Sequence, residues 1–224
     1  MKILIINPNR DDSMTEAMLK SAKQFSDGDF EVACLSTPAA PNFIETYEDQ
    51  MKAAPGMVKV LKNNEEEFDA FIIACHCDPN LDMMKEITKK PVVGIGEASM
   101  KIASMLGHRF SVVSTDSHSI PNKEALTRKY HLQDLAVSVR APADEIKELT
   151  DEEKYFNVAR LAVEEDMAEV IVLGCAGMTG LDKQLQEELG VPVLDGVICA
   201  LIIARGLVKY GVSTSKIRRY NPDY

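Results

Sequence analysis

Tryptophan is absent from the 224-residue chain, and aromatic residues make up only 6 % of it. The core is therefore expected to be aliphatic, with many of the eleven methionines at helical spacing as filler. Long apolar runs are also missing. "VICALIIARGLV" is interrupted by Arg205 and is too short to span a bilayer. The opening "MKILIINPNR" breaks at Asn7 and Pro8, too soon for a signal peptide. These absences argue against a membrane protein and point to the cytoplasm. Basic residues are outnumbered, 25 Lys and Arg against 35 Asp and Glu, for a net charge of −10. With no Lys/Arg cluster, no nucleic acid partner is expected. Five cysteines is an odd number, and without an export signal a disulfide framework is not expected. Cys34 and Cys199 lie in apolar patterns and read as inert core residues. "GIGEAS" lacks the third glycine of the dinucleotide fingerprint and reads instead as a tight strand-to-helix turn.

Strand-length apolar runs alternate with helical patterns. "KILIIN", "FEVACL", "DAFIIA" and "PVVGI" read as strands. Helices are expected near Ser13–Phe25 and Glu48–Asn63. This alternation predicts an α/β fold with parallel sheets flanked by helices.

The second half repeats the first. "FIIACHCDPNLDMMKEITKKPVV" aligns with "VIVLGCAGMTGLDKQLQEELGVPVL". Cys75 falls on Cys175, Leu81 on Leu181 and Asp82 on Asp182, and Pro91 meets Pro192 after a one-residue slip. "ILIINPN" pairs more weakly with "FSVVSTD". A two-copy similarity of this kind means duplication rather than a solenoid. Two pseudo-symmetric halves follow, each a mainly parallel four-stranded sheet flanked by helices. The first spans 1–99 and the second 100–206, with 207–224 returning to the first half. The modestly basic "GVSTSKIRRY" there reads as solvated.

Ligands of open parallel sheets collect at the carboxyl ends of the strands. The candidates are Asn7, Asn9, and Cys75 to Asp78 in the first half, and Ser114, Thr115, and Cys175 to Met178 in the second. If the halves face each other about a pseudo-twofold, one thiolate can take a proton from a carbon while the other thiol returns one to the far face. A thiol, with a pKa near ~8.5, supplies a strong base close to neutrality. A helix is expected directly after each cysteine, so its amides would favour thiolate and a developing enolate.

The cluster Cys75-His76-Cys77-Asp78 has rivals. Zinc pairs are normally separated by two or more residues, and no second Cys/His pair completes a site, so no metal is expected. Cys-x-Cys is not the Cys-x-x-Cys redox motif, and a thiol switch is a minor alternative. His76 either tunes the thiol or simply lines a cleft. Asp78 reads first as a helix cap. His108, His118 and His131 read as surface or loop residues.

"INPN" near the start, "AC-x-x-DP" after the third strand and "LGCAGM" after its match resemble the Asp/Glu/hydantoin racemase superfamily, and the hydantoin and allantoin racemases in particular. "FIETYED" also looks like that branch's loop after the second strand. The resemblance implies two pseudo-symmetric halves, a two-base mechanism without cofactor, and a homo-oligomer. It implies catalytic cysteines at Cys75 and Cys175, with the substrate held by backbone amides at Cys75 to Asp78 and Cys175 to Met178, Ala176 and Gly177 included. Asn9 and Ile44 would line the pocket. Two features depart from the branch. His76-Cys77 stand where it has an aromatic and a small residue, and Arg10 stands where it has Thr. Arg10 either points to solvent or pairs with a carboxylate, which would make the substrate more acidic than an alkyl hydantoin.

The expected function is thus racemisation of a small-molecule carbon acid next to a carbonyl, hydantoin-like or allantoin-like. The alternatives are an isomerase or decarboxylase of a small diacid on the same fold, and a non-enzymatic small-molecule or thiol–metal binding module.

Overall fold

The computed structural model describes residues 1–143 and 149–223. Its residues fall into two compact units, Met1–Ile95 with Ala200–Tyr224, and Gly96–Cys199.

The first unit contains strands β1 (Lys2–Asn7), β2 (Glu31–Ser36), β3 (Ala70–Ile73) and β4 (Val92–Gly94), with helices α1 (Asp12–Ser26), α2 (Tyr47–Asn64) and α3 (Leu81–Glu86). All pairs are parallel, in the order β2-β1-β3-β4. β1 and β3 are central and almost wholly buried, so both read as unbroken apolar runs. Leu4, Ile6, Phe71 and Ile73 pack with Ala53, Met57 and Leu61 of α2 and Leu81 and Met84 of α3. Thr15, Met18, Ala22 and Ser26 form the buried stripe of α1.

α2 runs through "APGM" unbroken, although Pro55 lacks the amide proton that a helix interior uses. Gly56 accounts for its closeness to the preceding loop, since a Cβ there would lie 2.6 Å from the Pro38 carbonyl oxygen. Thr46 and Asp49 form a reciprocal capping box at its start.

The second unit contains β5 (Phe110–Val113), β6 (Ala136–Arg140), β7 (Val170–Leu173) and β8 (Val193–Leu194) in the parallel order β6-β5-β7-β8. Helices α4 (Ile95–Leu106) and α5 (Ile120–Lys129) supply Met100, Ala103 and Leu126 to one cluster with Phe110, Val112, Val170 and Val172. Helices α6 (Asp151–Glu164) and α7 (Asp182–Leu189) supply Val158, Ala159, Ala162 and Leu185 to another with Val113, Ile171 and Leu173. Alternate residues of one strand thus feed opposite layers. The two sheets share one topology, as expected for a repeated α/β unit. As the "GIGEAS" reading anticipated, β4 turns into α4 with no intervening loop.

Helix α8 (Gly196–Tyr210) buries Val197, Cys199, Ala200, Leu201 and Ala204. Within the first unit, Arg205 pairs with Asp29 at 3.0 Å and stacks over the Phe30 ring. The basic tail is not simply solvated. Lys216 donates to the Lys85 and Glu86 carbonyls, Arg219 pairs with Glu86 at 2.9 Å, and Tyr220 donates to Asp82 at 2.7 Å. A cation at the carbonyl end of α3 complements the helix dipole, while burial lowers the pKa of the Lys216 ammonium. Among the described residues, no helix is long and apolar enough to cross a membrane.

Arg140, ending β6, grips Asp166 with two hydrogen bonds of 2.6 and 2.7 Å and also reaches Glu165 at 2.8 Å. Its guanidinium holds the Asp166 carboxyl below its ordinary range. This contribution is complete above the carboxyl's unfolded pKa and is lost as pH falls through the lower folded value. Arg140→Ala should therefore cost about 1 kcal/mol at neutral pH, and the difference from the parent should shrink in urea unfolding as the pH falls below the ordinary aspartate range.

Candidate active site

Parallel pairing places the carboxyl ends of a unit's strands on one edge. In the first unit, Ala74 N donates to Ile6 O at 2.9 Å and carries the β1–β3 ladder one residue further, up to Cys75. The chain then turns, with Asp78 N donating to Cys75 O at 2.9 Å. In the second unit, Met178 N donates to Cys175 O at 3.1 Å, which is the same turn. Cys75 and Cys175 are each half-buried at the end of the third strand of their unit.

The expectation that an α-helix begins directly after each thiol is corrected. α3 starts only at Leu81, because Asp78 and Asn80 take positive φ on either side of Pro79. A helix dipole six residues away is too distant to act on Cys75. At Cys175 a single 3-10 turn, Ala176–Met178, follows, and Gly177 N donates to the Cys175 sulfur at 3.3 Å. A backbone amide on sulfur favours its thiolate form. The cap position of α3 falls on Asn80 rather than Asp78. Asn80 holds the cap position without a side-chain bond, and its amide instead donates to Gln50 O at 2.7 Å, tying the turn to α2.

The Asp78 carboxylate is buried and lies against the backbone of Gly94, where any Cβ would overlap it. The second unit reverses this arrangement. The repeat aligns Asp78 with Met178 and Gly94 with Asp195, and the buried carboxylate now comes from the strand end. Asp195 accepts from Val197 N at 2.7 Å, Gly180 N at 3.3 Å and Thr179 Oγ1 at 3.4 Å. Burial pushes its carboxyl pKa up, and the Val197 and Gly180 amides offset part of that. Each thiol loop is thus pinned to the neighbouring strand end by one carboxylate, supplied from opposite sides in the two units.

Asn7 and Asn9 are buried in a closed network. Asn7 Nδ2 donates to Asn9 Oδ1 at 2.7 Å and Thr15 Oγ1 at 2.9 Å, and Asn9 Oδ1 also accepts from Asp11 N at 2.9 Å. The amide of Asn7 therefore shapes the β1–α1 loop. Arg10 is exposed, and its Nε donates to Asn42 Oδ1 at 2.6 Å. Ile44 is half-buried against the first-unit core. His76 is buried, and Cys77 is half-buried with its sulfur 3.3 Å from that of Cys75. In the second unit, Ser114 shares a 2.5 Å hydrogen bond with Ser119, and Thr115 donates to Asp116 at 2.7 Å. Ala176 and Met178 are buried, Met178 within the core, so it offers the loop its backbone, while Gly177 is exposed. His108, His118 and His131 are exposed.

Two neighbours of the thiol loops carried little sequence signal. Tyr155 of α6 packs on the same core cluster as Cys175, and burial pushes its phenol up to about 12, with charges at Asp151, Cys175 and Asp116 adding to the effect. It occupies an ordinary helical position, which no motif marks. Asp195 ends a strand of two residues, and the strand-end rule applied to β8 would have found it. A groove of about 500 Å³ beside α6 and α7, floored by Phe156, Leu181 and Leu185, holds carboxylates but no thiol. Among the described residues, no three His, Cys, Asp or Glu side chains gather as metal ligands.

Chemically, each unit presents one half-buried thiol at the same strand end. Cys34 and Cys199, by contrast, are buried, and burial pushes their thiols up to about 12. A profile of the Asp/Glu/Hydantoin racemase family matches residues 3–204. The chain is 41 % identical to the hydantoin racemase of Pseudomonas sp. (strain NS671), covering 98 % of this chain and 91 % of that protein. It is 36 % identical to the hydantoin racemase of Paenarthrobacter aurescens, covering 98 % and 96 %. The crystal structure of allantoin racemase from Pseudomonas fluorescens superposes with a TM-score of 0.91 at 36 % identity, covering 98 % of this chain and 96 % of that one. The chain belongs to the Asp/Glu/hydantoin racemase family, and it is an enzyme of the racemase class.

The carboxylate against Gly94 makes a specific prediction. Gly94→Ala should destabilise the first unit by about 1–3 kcal/mol through overpacking. Adding Asp78→Gly, which suits the positive φ at that position, should recover part of the loss in urea unfolding.

Proposed function

We propose that this enzyme racemises a hydantoin-like or allantoin-like ring by a two-thiol mechanism without a cofactor. The observation that carries the reading is the repeated placement of Cys75 and Cys175, half-buried after the third strand of each unit, while Cys34 and Cys199 are buried with thiols pushed up to about 12. The substrate carbon lies next to a ring carbonyl, so loss of its proton gives an enolate. One thiolate removes that proton and the other cysteine, as thiol, returns one to the opposite face. For the mirror-image substrate the roles exchange. The turn amides after each cysteine, such as that of Gly177, would carry charge on the sulfur or the enolate oxygen. The names of the relatives, hydantoin and allantoin racemase, support the substrate class. Asn9, Ile44, His76, Cys77, Asp78, Ser114 and Thr115 are assigned to shaping the pocket. Arg10 extends the reading to substrates bearing a carboxylate, since its Nε is held by Asn42 and its other nitrogens remain for a two-pronged pair.

The proposed assembly is a cytoplasmic homo-oligomer. The exposed apolar side chains of Phe43, Tyr47 and Met51 support association of copies. Analytical ultracentrifugation should give a mass above that of one chain, and Tyr47→Lys with Met51→Lys should lower it.

Cys75→Ser and Cys175→Ser test the mechanism in deuterated water. Each should lose racemisation by about 10²-fold or more. Each should retain exchange at the substrate carbon for one enantiomer only, and for opposite enantiomers in the two variants. Full racemase activity in both variants would overturn the reading.

A further inference from the structure

Cys77 takes no part in the proton transfer of the racemase reading, which gives it only a place in the pocket wall. Its sulfur lies 3.3 Å from that of Cys75, inside the sum of two sulfur van der Waals radii. Both side chains are half-buried in one turn, which the Asp78 N to Cys75 O bond closes at 2.9 Å. A disulfide bond is about 2.05 Å long, so the sulfurs need close by only about 1.3 Å. Side-chain rotation within an irregular turn supplies such a shift without disturbing the strand. Of the other cysteines, Cys34 and Cys199 are buried and their thiols are pushed up to about 12, which makes both poor partners for an oxidant.

From this juxtaposition we propose that Cys75 and Cys77 form an oxidant-responsive pair in which Cys77 resolves oxidised Cys75. The reactant is a hydroperoxide. The Cys75 thiolate attacks its terminal oxygen, forming an S–O bond and breaking the O–O bond. The alkoxide or hydroxide released takes up a proton as alcohol or water. The Cys77 thiolate then attacks the Cys75 sulfur, forming S–S and breaking S–O, and the departing hydroxide leaves as water with the proton from Cys77. In sum, two thiols and one hydroperoxide give one disulfide, one alcohol or water, and one further water. The disulfide ties up the sulfur that the racemase reading uses for proton transfer, so oxidised enzyme is inactive. A thiol reductant reverses it. Without Cys77, the sulfenic acid at Cys75 proceeds to sulfinic acid, which such reductants do not reverse. Cys77 thus converts damage at a proton-transferring thiol into a reversible off state.

The loss and recovery of activity rest on the racemase reading, but the covalent change is read independently of it. The tryptic peptide Asn63–Lys85 contains Cys75 and Cys77 and no other cysteine. After hydrogen peroxide treatment of the full chain, this peptide should be about 2 Da lighter by mass spectrometry. Dithiothreitol should return those 2 Da and restore the activity together. In Cys77→Ser the same treatment should place about 32 Da on Cys75 itself, located by fragment ions that separate it from sulfoxides at Met83 and Met84, with activity that dithiothreitol does not restore. The proposal is overturned if the parent peptide gains oxygen without the 2 Da loss. It is also overturned if Cys75 is found linked to another cysteine, or if Cys77→Ser recovers as fully as the parent. The parent's mass change decides the matter alone if the variant does not fold. A 2 Da loss in an enzyme whose Cys75→Ser variant still racemises would refute the racemase mechanism and leave the pair standing.

Discussion

Each unit depends on a buried carboxylate that ties its thiol loop to the end of the neighbouring strand. A turn carrying a reactive sulfur has backbone amides to satisfy and little apolar surface of its own, so it needs an anchor. In the first unit the anchor is Asp78, seated against a glycine that leaves it room. In the second it is Asp195, which binds the Thr179–Gly180 corner and the first turn of α8. The two solutions are interchanged: the acid sits on the loop in one unit and on the strand in the other. Duplication preserved the constraint and not the residue.

That interchange bears on how the two cysteines differ. Cys175 carries an amide on its sulfur and packs on the same core cluster as Tyr155. Cys75 carries a second sulfur at 3.3 Å and lies beside buried His76. Two thiols in matched positions thus have unlike surroundings.

Much of the scaffold was legible in the sequence because parallel strands buried on both faces leave long apolar runs. "KILIIN" and "VIVL" show this, and the spacing of 100 from Cys75 to Cys175 made the repeat visible. Helix ends were read to within a residue or two at α1 and α2, where Asp11 and Thr46 cap. The short helix after Cys75 was misplaced because two non-glycine residues adopt positive φ around Pro79, a choice that local propensity does not predict. Asp78 was read as a cap for the same reason: the cap position of α3 falls on Asn80, and the Asp78 carboxylate lies against Gly94 instead.

The basic tail gives the same lesson at longer range. "STSKIRRY" has the composition of a solvated segment, yet Lys216 and Arg219 meet carbonyls and a carboxylate of α3 some 130 positions earlier in the chain. The sequence by itself determined the alternating α/β architecture, its duplication, and the strand ends at which Cys75 and Cys175 stand, because hydrophobic period and repeat spacing are local and countable. Only the tertiary structure decided that Cys77 touches Cys75, that Asp78 and Asp195 anchor the two loops from opposite sides, and that Tyr155 joins Cys175. Those contacts arise from turn geometry and from packing between distant segments, where residue identity alone leaves several partners equally open.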